Sequence, residues 1–198
     1  MKTEKQKSQR AETLWISDPE QLAALISPVR QGILDRLEAA GPSTVADLAE
    51  ALGIAQDALY YHVRKLEGVG LLRRVDVRKG EGRDSAVFDL AARRWHIRYR
   101  PGDPENEACL SAITAGILRQ AQRDFEQGFA APGASVEGEL RSLWSLRLES
   151  SLDEADLRAV NRHLNAIVEI LRKPRRQSGG NHYALSWVLA PMQRRGRN

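Results

Sequence analysis

The sequence predicts an α+β protein, and three observations predict it. Between Thr44 and Gly68 two stretches carry apolar residues at helical spacing, with Gly53 between them. Leu71 to Val77 and Ser85 to Leu90 read as strands around a basic, glycine-containing tip. Beyond Pro101-Gly102 the charge turns acidic and new helical stripes begin. Helix, turn, helix and two-strand wing, in that order, describe an N-terminal winged helix-turn-helix. A long dimerisation helix and a small strand–helix–strand part follow it. The expected divisions are a disordered arm (1–13), a winged helix domain (14–101), a dimerisation and effector domain (102–191) and a basic tail (192–198).

Taken in order, residues 1–13 are polar, with Lys2, Lys5, Lys7 and Arg10, and predict a frayed arm. Asp18-Pro19 and Ser27-Pro28 each place a cap and a proline at a helix start. Leu22, Leu25 and Ile26 line the first helix. Val29, Ile33, Leu34 and Leu37 line the second, which Gly41-Pro42 ends. Thr44 opens the next helix, with Asp47 three residues on as a variant capping box. The helix from about Ala55 to Gly68 buries Leu59, Val63 and Leu66, spaced four and three. After the wing, Arg93 to Arg100 alternates basic and apolar residues, as a further strand or extended linker would.

Asp103-Pro104-Glu105 caps a long helix to about Gly128, with Leu110, Ile113, Ile117, Leu118, Ala121 and Phe125 as its stripe. Leu140 to Leu148 reads as a strand with Trp144, Leu146 and Leu148 on one face. Ser151 or Asp153 caps a last helix striped by Leu157, Val160, Leu164, Ile167, Val168 and Leu171. A basic loop from Lys173 to Asn181 leads to a final strand, Tyr183 to Leu189.

Composition excludes several classes. Of the 198 residues 42% are hydrophobic, enough for a core. No apolar run approaches the roughly 18 residues of a membrane span, and the charged start is not a secretory signal, so a cytoplasmic protein is expected. The single Cys109 excludes an internal disulfide framework and a multi-cysteine metal site, and it reads as a buried helix residue. His96, His163 and His182 lack ligand spacing, so neither metal nor cofactor is expected. No catalytic motif is present, and the expectation is a non-enzyme. Residues 1–102 carry 17 Lys/Arg against 14 Asp/Glu, residues 103–172 carry 7 against 12, and the last 26 add six basic groups and no acid. Ordinary solvated surface accounts for such a pattern, and so does a nucleic-acid-facing part beside a part that faces protein or ligand.

A helix of this length fits the major groove, and the second helix of a helix-turn-helix reads base edges with its N-terminal residues. Those are Gln56, Asp57, Tyr60 and Tyr61. Gln pairs bidentately with adenine, and Tyr reaches phosphate or a thymine methyl. Arg64 and Lys65 stand one turn later, and His62 at the edge of the face, where packing is its plainer role. Arg78, Lys79 and Arg83 beside Gly80 and Gly82 suit a wing lying along a backbone or probing the minor groove.

Leu25 to Leu90 resembles the winged helix-turn-helix of ArsR-type bacterial transcriptional regulators, in the branch with a YYHLRKLE recognition helix. That helix is written here Tyr60-Tyr61-His62-Val63-Arg64-Lys65-Leu66-Glu67. Ser27 to Leu34, Val45 to Ala49 and Gly70-Leu71-Leu72 also match. The resemblance covers about a third of the chain. It implies a homodimeric repressor or activator on double-stranded DNA, with one recognition helix in each of two successive major grooves of a partly palindromic operator. Two departures stand out. Ala55 replaces the usual Ser or Thr cap, worth about 1 kcal/mol, and the cysteine-rich metal motif of metal-sensing relatives is absent.

In proteins of this type the helix after the wing usually mediates dimerisation. Trp144 and Trp187 read as core or subunit interface, and the alternative is a small-molecule effector site between them. Two rival readings remain at this level: a winged helix used as a protein-interaction module, and a small-molecule-binding protein without a sequence-specific DNA target.

Overall fold

The computed structural model describes residues 10–80, 84–173 and 182–192. Arg83, most of the N-terminal arm, residues 174–181 and residues 193–198 of the basic tail lie outside the described residues. The chain forms two compact units, Met1–Gln120 and Ala121–Asn198.

The first unit opens with β1 (Ala11–Ile16), followed by α1 (Pro19–Leu25) and α2 (Pro28–Ala40). Both helices begin with a proline behind an extended cap residue, Asp18 and Ser27. Asp18 accepts from the amides of Glu20 and Gln21, whereas the Ser27 side chain makes no capping bond. β2 (Ser43–Thr44) leads into α3 (Val45–Leu52). Thr44 and Asp47 close a reciprocal capping box, each side chain taking the other's backbone N–H. Gly53 then adopts φ 63°, the left-handed conformation that ends α3 and sets the tight turn into α4 (Gln56–Gly68).

Gly70 turns the chain, with φ 73°, into β3 (Leu72–Arg78), which pairs antiparallel with β4 (Ser85–Leu90) to make the wing. β2 joins the other edge of β4, in the order β2-β4-β3. The β3–β4 register shifts between Arg74 and Asp76, a bulge of the kind that bends a hairpin. The core beneath is the set the helical spacing singles out. Ile33, Leu37, Leu48, Leu59 and Leu66 are fully buried together with Ile16 and Leu22.

The disordered arm expected over 1–13 needs correction at its end. Ala11 to Ile16 pairs in parallel with β5 (Ala92–Ile97), from Ala11 opposite Ala92 to Ile16 opposite Ile97. Arg10 just before it donates to the carboxylate of buried Asp89. Arg73 approaches the same carboxylate at 3.6 Å and donates to the Leu90 carbonyl. A buried carboxylate between two guanidinium groups is tolerable where the same group alone would not be. This unit continues past Pro101-Gly102 into α5 (Pro104–Gly128), because Ile113 is buried on its core and Cys109 and Leu110 pack against it.

The second unit has α6 (Glu154–Leu171), capped by Asp153 in a capping box with Asp156. The strands expected at Leu140–Leu148 and Tyr183–Leu189 do not form among the described residues. Their alternation is strand-like, but a strand exists only through a ladder to a neighbour. Neither segment has one here. Fixed points in this unit are local: Ser135 and Ser142 exchange hydrogen bonds, Phe125 meets Phe129 edge-on at 5.1 Å, and the Arg141 guanidinium lies 4.0 Å over Trp144.

Candidate nucleic-acid interface

α4 positions most of the sequence-derived site residues. Leu59, Val63 and Leu66 anchor one face, at 0–1% exposure, and thereby fix the opposite face outward. Gln56, Asp57, Tyr60, Tyr61, Arg64 and Lys65 all stand on that outward side. Tyr61 is 59% exposed, a large aromatic left in water beside cations. Gln56 Nε2 donates to the Tyr60 hydroxyl at 3.2 Å, which holds these two side chains of successive turns side by side. Ala55 is extended and makes no side-chain capping bond, so the first amides of α4 remain open toward the same side as Asp57.

His62 is placed differently. It is half-buried at the edge of α4, its ring 5.3 Å from Tyr61 and edge-on to it. Its Nδ1 is buried and makes no hydrogen bond among the described residues. Burial, helped by the nearby Arg30 charge, holds its pKa below the ordinary histidine value of 6.5. The side chain is therefore poised as a neutral packing group.

The wing brings Arg78 and Lys79 to an exposed end of β3. Arg78 Nη1 donates to the Asp47 carboxylate at 3.1 Å, tying the wing to the first turn of α3. Asp47 thus serves two partners. Its pKa lies below the ordinary 3.8, chiefly because it accepts the Thr44 backbone N–H, with the Thr44 hydroxyl and Arg78 adding to the effect against a burial penalty. Arg74 also stands exposed on β3, while Arg73 turns inward to Asp89.

α3, α4 and β4 enclose an open groove of about 190 Å³. Gln56, Tyr60 and Arg64 line it from α4, and Thr44, Ala46 and Ser85 line it from the opposite walls. Sequence reasoning named the α4 residues and missed the other three. Thr44 and Ala46 are legible only as a cap and a helix surface, and Ser85 as a strand start. Glu67 also reaches the groove, so its floor is mixed in charge. Among the described residues no group of three or more His, Cys, Asp or Glu could hold a metal ion. None of the described helices is long and apolar enough to cross a membrane.

Comparison with known proteins agrees with this geometry at one level. A family model described as a helix-turn-helix domain matches residues 25–75. The matched span runs from the end of α1 to the middle of β3, and the β3–β4 hairpin makes the domain a winged one. No curated protein matches the chain. Among solved structures, the chain is similar to the transcriptional regulator PA4135, at 16% identity, 79% coverage of this chain, 85% of that one and a TM-score of 0.31. It is similar to a transcriptional regulator homologue from Pyrococcus horikoshii OT3 at 23% identity, covering 51% and 97%, with a TM-score of 0.29. A third is NMB1585, a MarR family regulator from Neisseria meningitidis, at 16% identity, covering 73% and 75%, with a TM-score of 0.29. Likenesses this loose carry no argument about function. The class defined by the fold and the domain match is a winged helix-turn-helix protein.

Proposed function

We propose that this protein is a cytoplasmic, homodimeric transcriptional regulator of the ArsR-like type that binds double-stranded DNA. The observation that carries the reading is the sorting of α4. Its apolar residues are fully withdrawn into the core, and six polar, aromatic and basic residues occupy the face left outside. An outward helix face with amide, phenol and guanidinium groups offers base-edge hydrogen bonds and phosphate contacts together. In this mechanism Gln56, Asp57, Tyr60 and Tyr61 enter the major groove. Arg64, Lys65 and Lys79 neutralise phosphates, and His62 holds the helix edge. Arg78 braces the wing through Asp47, and Arg83 is assigned to the wing tip. Two such helices from a dimer would read two half-sites.

The double substitution Arg64→Ala and Lys65→Ala tests the assignment. Binding to duplex DNA should weaken, and the slope of log affinity against log salt should flatten by about one to two units, as two phosphate contacts are lost. An affinity and slope equal to wild type would place the DNA-contacting face elsewhere.

A further inference from the structure

No described residue of the second unit is buried. Yet its sequence is not that of a solvated linker. Trp144, Leu146 and Leu148 alternate with Ser145, Arg147 and Glu149, and Tyr183, Leu185 and Trp187 repeat the pattern. Leu146 and Leu148 are 71% and 79% exposed, and Leu157 and Leu171 of α6 are exposed too. Taken with their neighbours, these side chains leave on the order of 1,500 Å² of largely apolar surface in water, where a standard interface covers roughly 800 Å² per partner.

The backbone is equally incomplete. From 144 to 152 and from 182 to 192 no main-chain group hydrogen-bonds to the main chain of another described residue. A period-two sequence with an open backbone is a strand without its neighbour, ready to pair with another chain. We propose that the neighbour is a second copy of this chain. Its own 144–152 and 182–192 segments complete an interchain sheet that covers α6 and the tryptophan-bearing faces of both copies.

Three observations favour a second copy. The area matches what a stable dimer covers. Residues 121–173 carry 7 Lys/Arg and 9 Asp/Glu, a balance of 7 − 9 = −2, so two identical surfaces meet without strong repulsion. A short alternating segment also pairs antiparallel with itself across a two-fold axis, which is the isologous geometry of most homodimers. The inference rests on the homodimer of the preceding reading, and moves its main contact from α5, whose Ile113 is already spent on its own core, to the second unit.

Sedimentation of the full chain at micromolar concentration should give twice the 22.1 kDa chain mass. The Leu146→Asp, Leu148→Asp variant should sediment as the single chain while the helix-turn-helix unit keeps its thermal transition. Amide exchange of the wild type supplies a readout independent of any variant. Amides of 144–152 and 182–192 should be protected by on the order of 100-fold or more. Exchange at free-chain rates, or a variant that remains dimeric, overturns the interchain sheet and leaves a dimer through α5 standing. A monomeric wild type overturns the sheet and the homodimer together. A dimeric, protected chain that binds no DNA would contradict the regulator reading alone.

Discussion

His62 shows how one residue of a recognition-type helix serves the fold. Its ring is half-buried with Nδ1 withdrawn from water, and its pKa is lowered by that burial and by Arg30. The unfolded chain therefore binds a proton at this site at a pH where the folded chain does not. Stability contributed by the neutral ring is full above the unfolded value near 6.5, falls as pH drops below it, and is lost by the lower folded pKa. Thermal unfolding from pH 8 to pH 5 should show a declining midpoint that His62→Gln flattens. An equal decline in the variant would assign the effect to other groups. Asp47 acts in a separate window. Its carboxylate is depressed below 3.8, so its contribution is present above that value and lost only as pH falls further, which keeps the two residues distinguishable.

α4 carries the local weakness of the site. Ala55 stands in the extended conformation of a cap, with φ −57° and ψ 133°, but offers no oxygen to the amides behind it. Asp18, Thr44 and Asp153 all make the bond that Ala55 lacks. Ala55→Ser should stabilise the protein by about 1 kcal/mol, read as a higher urea midpoint with an unchanged slope. No gain in midpoint would show that the open amides are already satisfied. This element was legible in the sequence because Leu59, Val63 and Leu66 repeat at four and three, and because burying them leaves only one face for Gln56 to Lys65. The capping box at Thr44 and Asp47 was legible for the same local reason. β1 was not. Ala11 to Ile16 has charged neighbours, and its order comes from β5, some eighty residues away, and from the pairing of Arg10 with Asp89. Strands depend on partners that short-range patterns do not name. The segments around Trp144 and Trp187 make the same point in reverse, since their alternation is plain and their pairing is missing within the chain.

At the scale of the whole molecule, one compact unit has a filled core and a polar, aromatic and basic reading face, and the other exposes its apolar residues. The same sequence rules that found the first core also marked the stripe of α6 and the faces of Trp144 and Trp187 as apolar. They could not say whether a core, an effector or another chain covers them, because that depends on surfaces outside any one stretch. A winged helix unit that reads DNA and a second unit that joins two copies together would account for the whole chain. Selection of bound fragments from a random pool of duplex DNA by the full chain tests this most directly. The account predicts enrichment of an inverted repeat with half-sites one helical turn apart, about 10 base pairs. Recovery of DNA without sequence preference, lost as salt is raised, would contradict it.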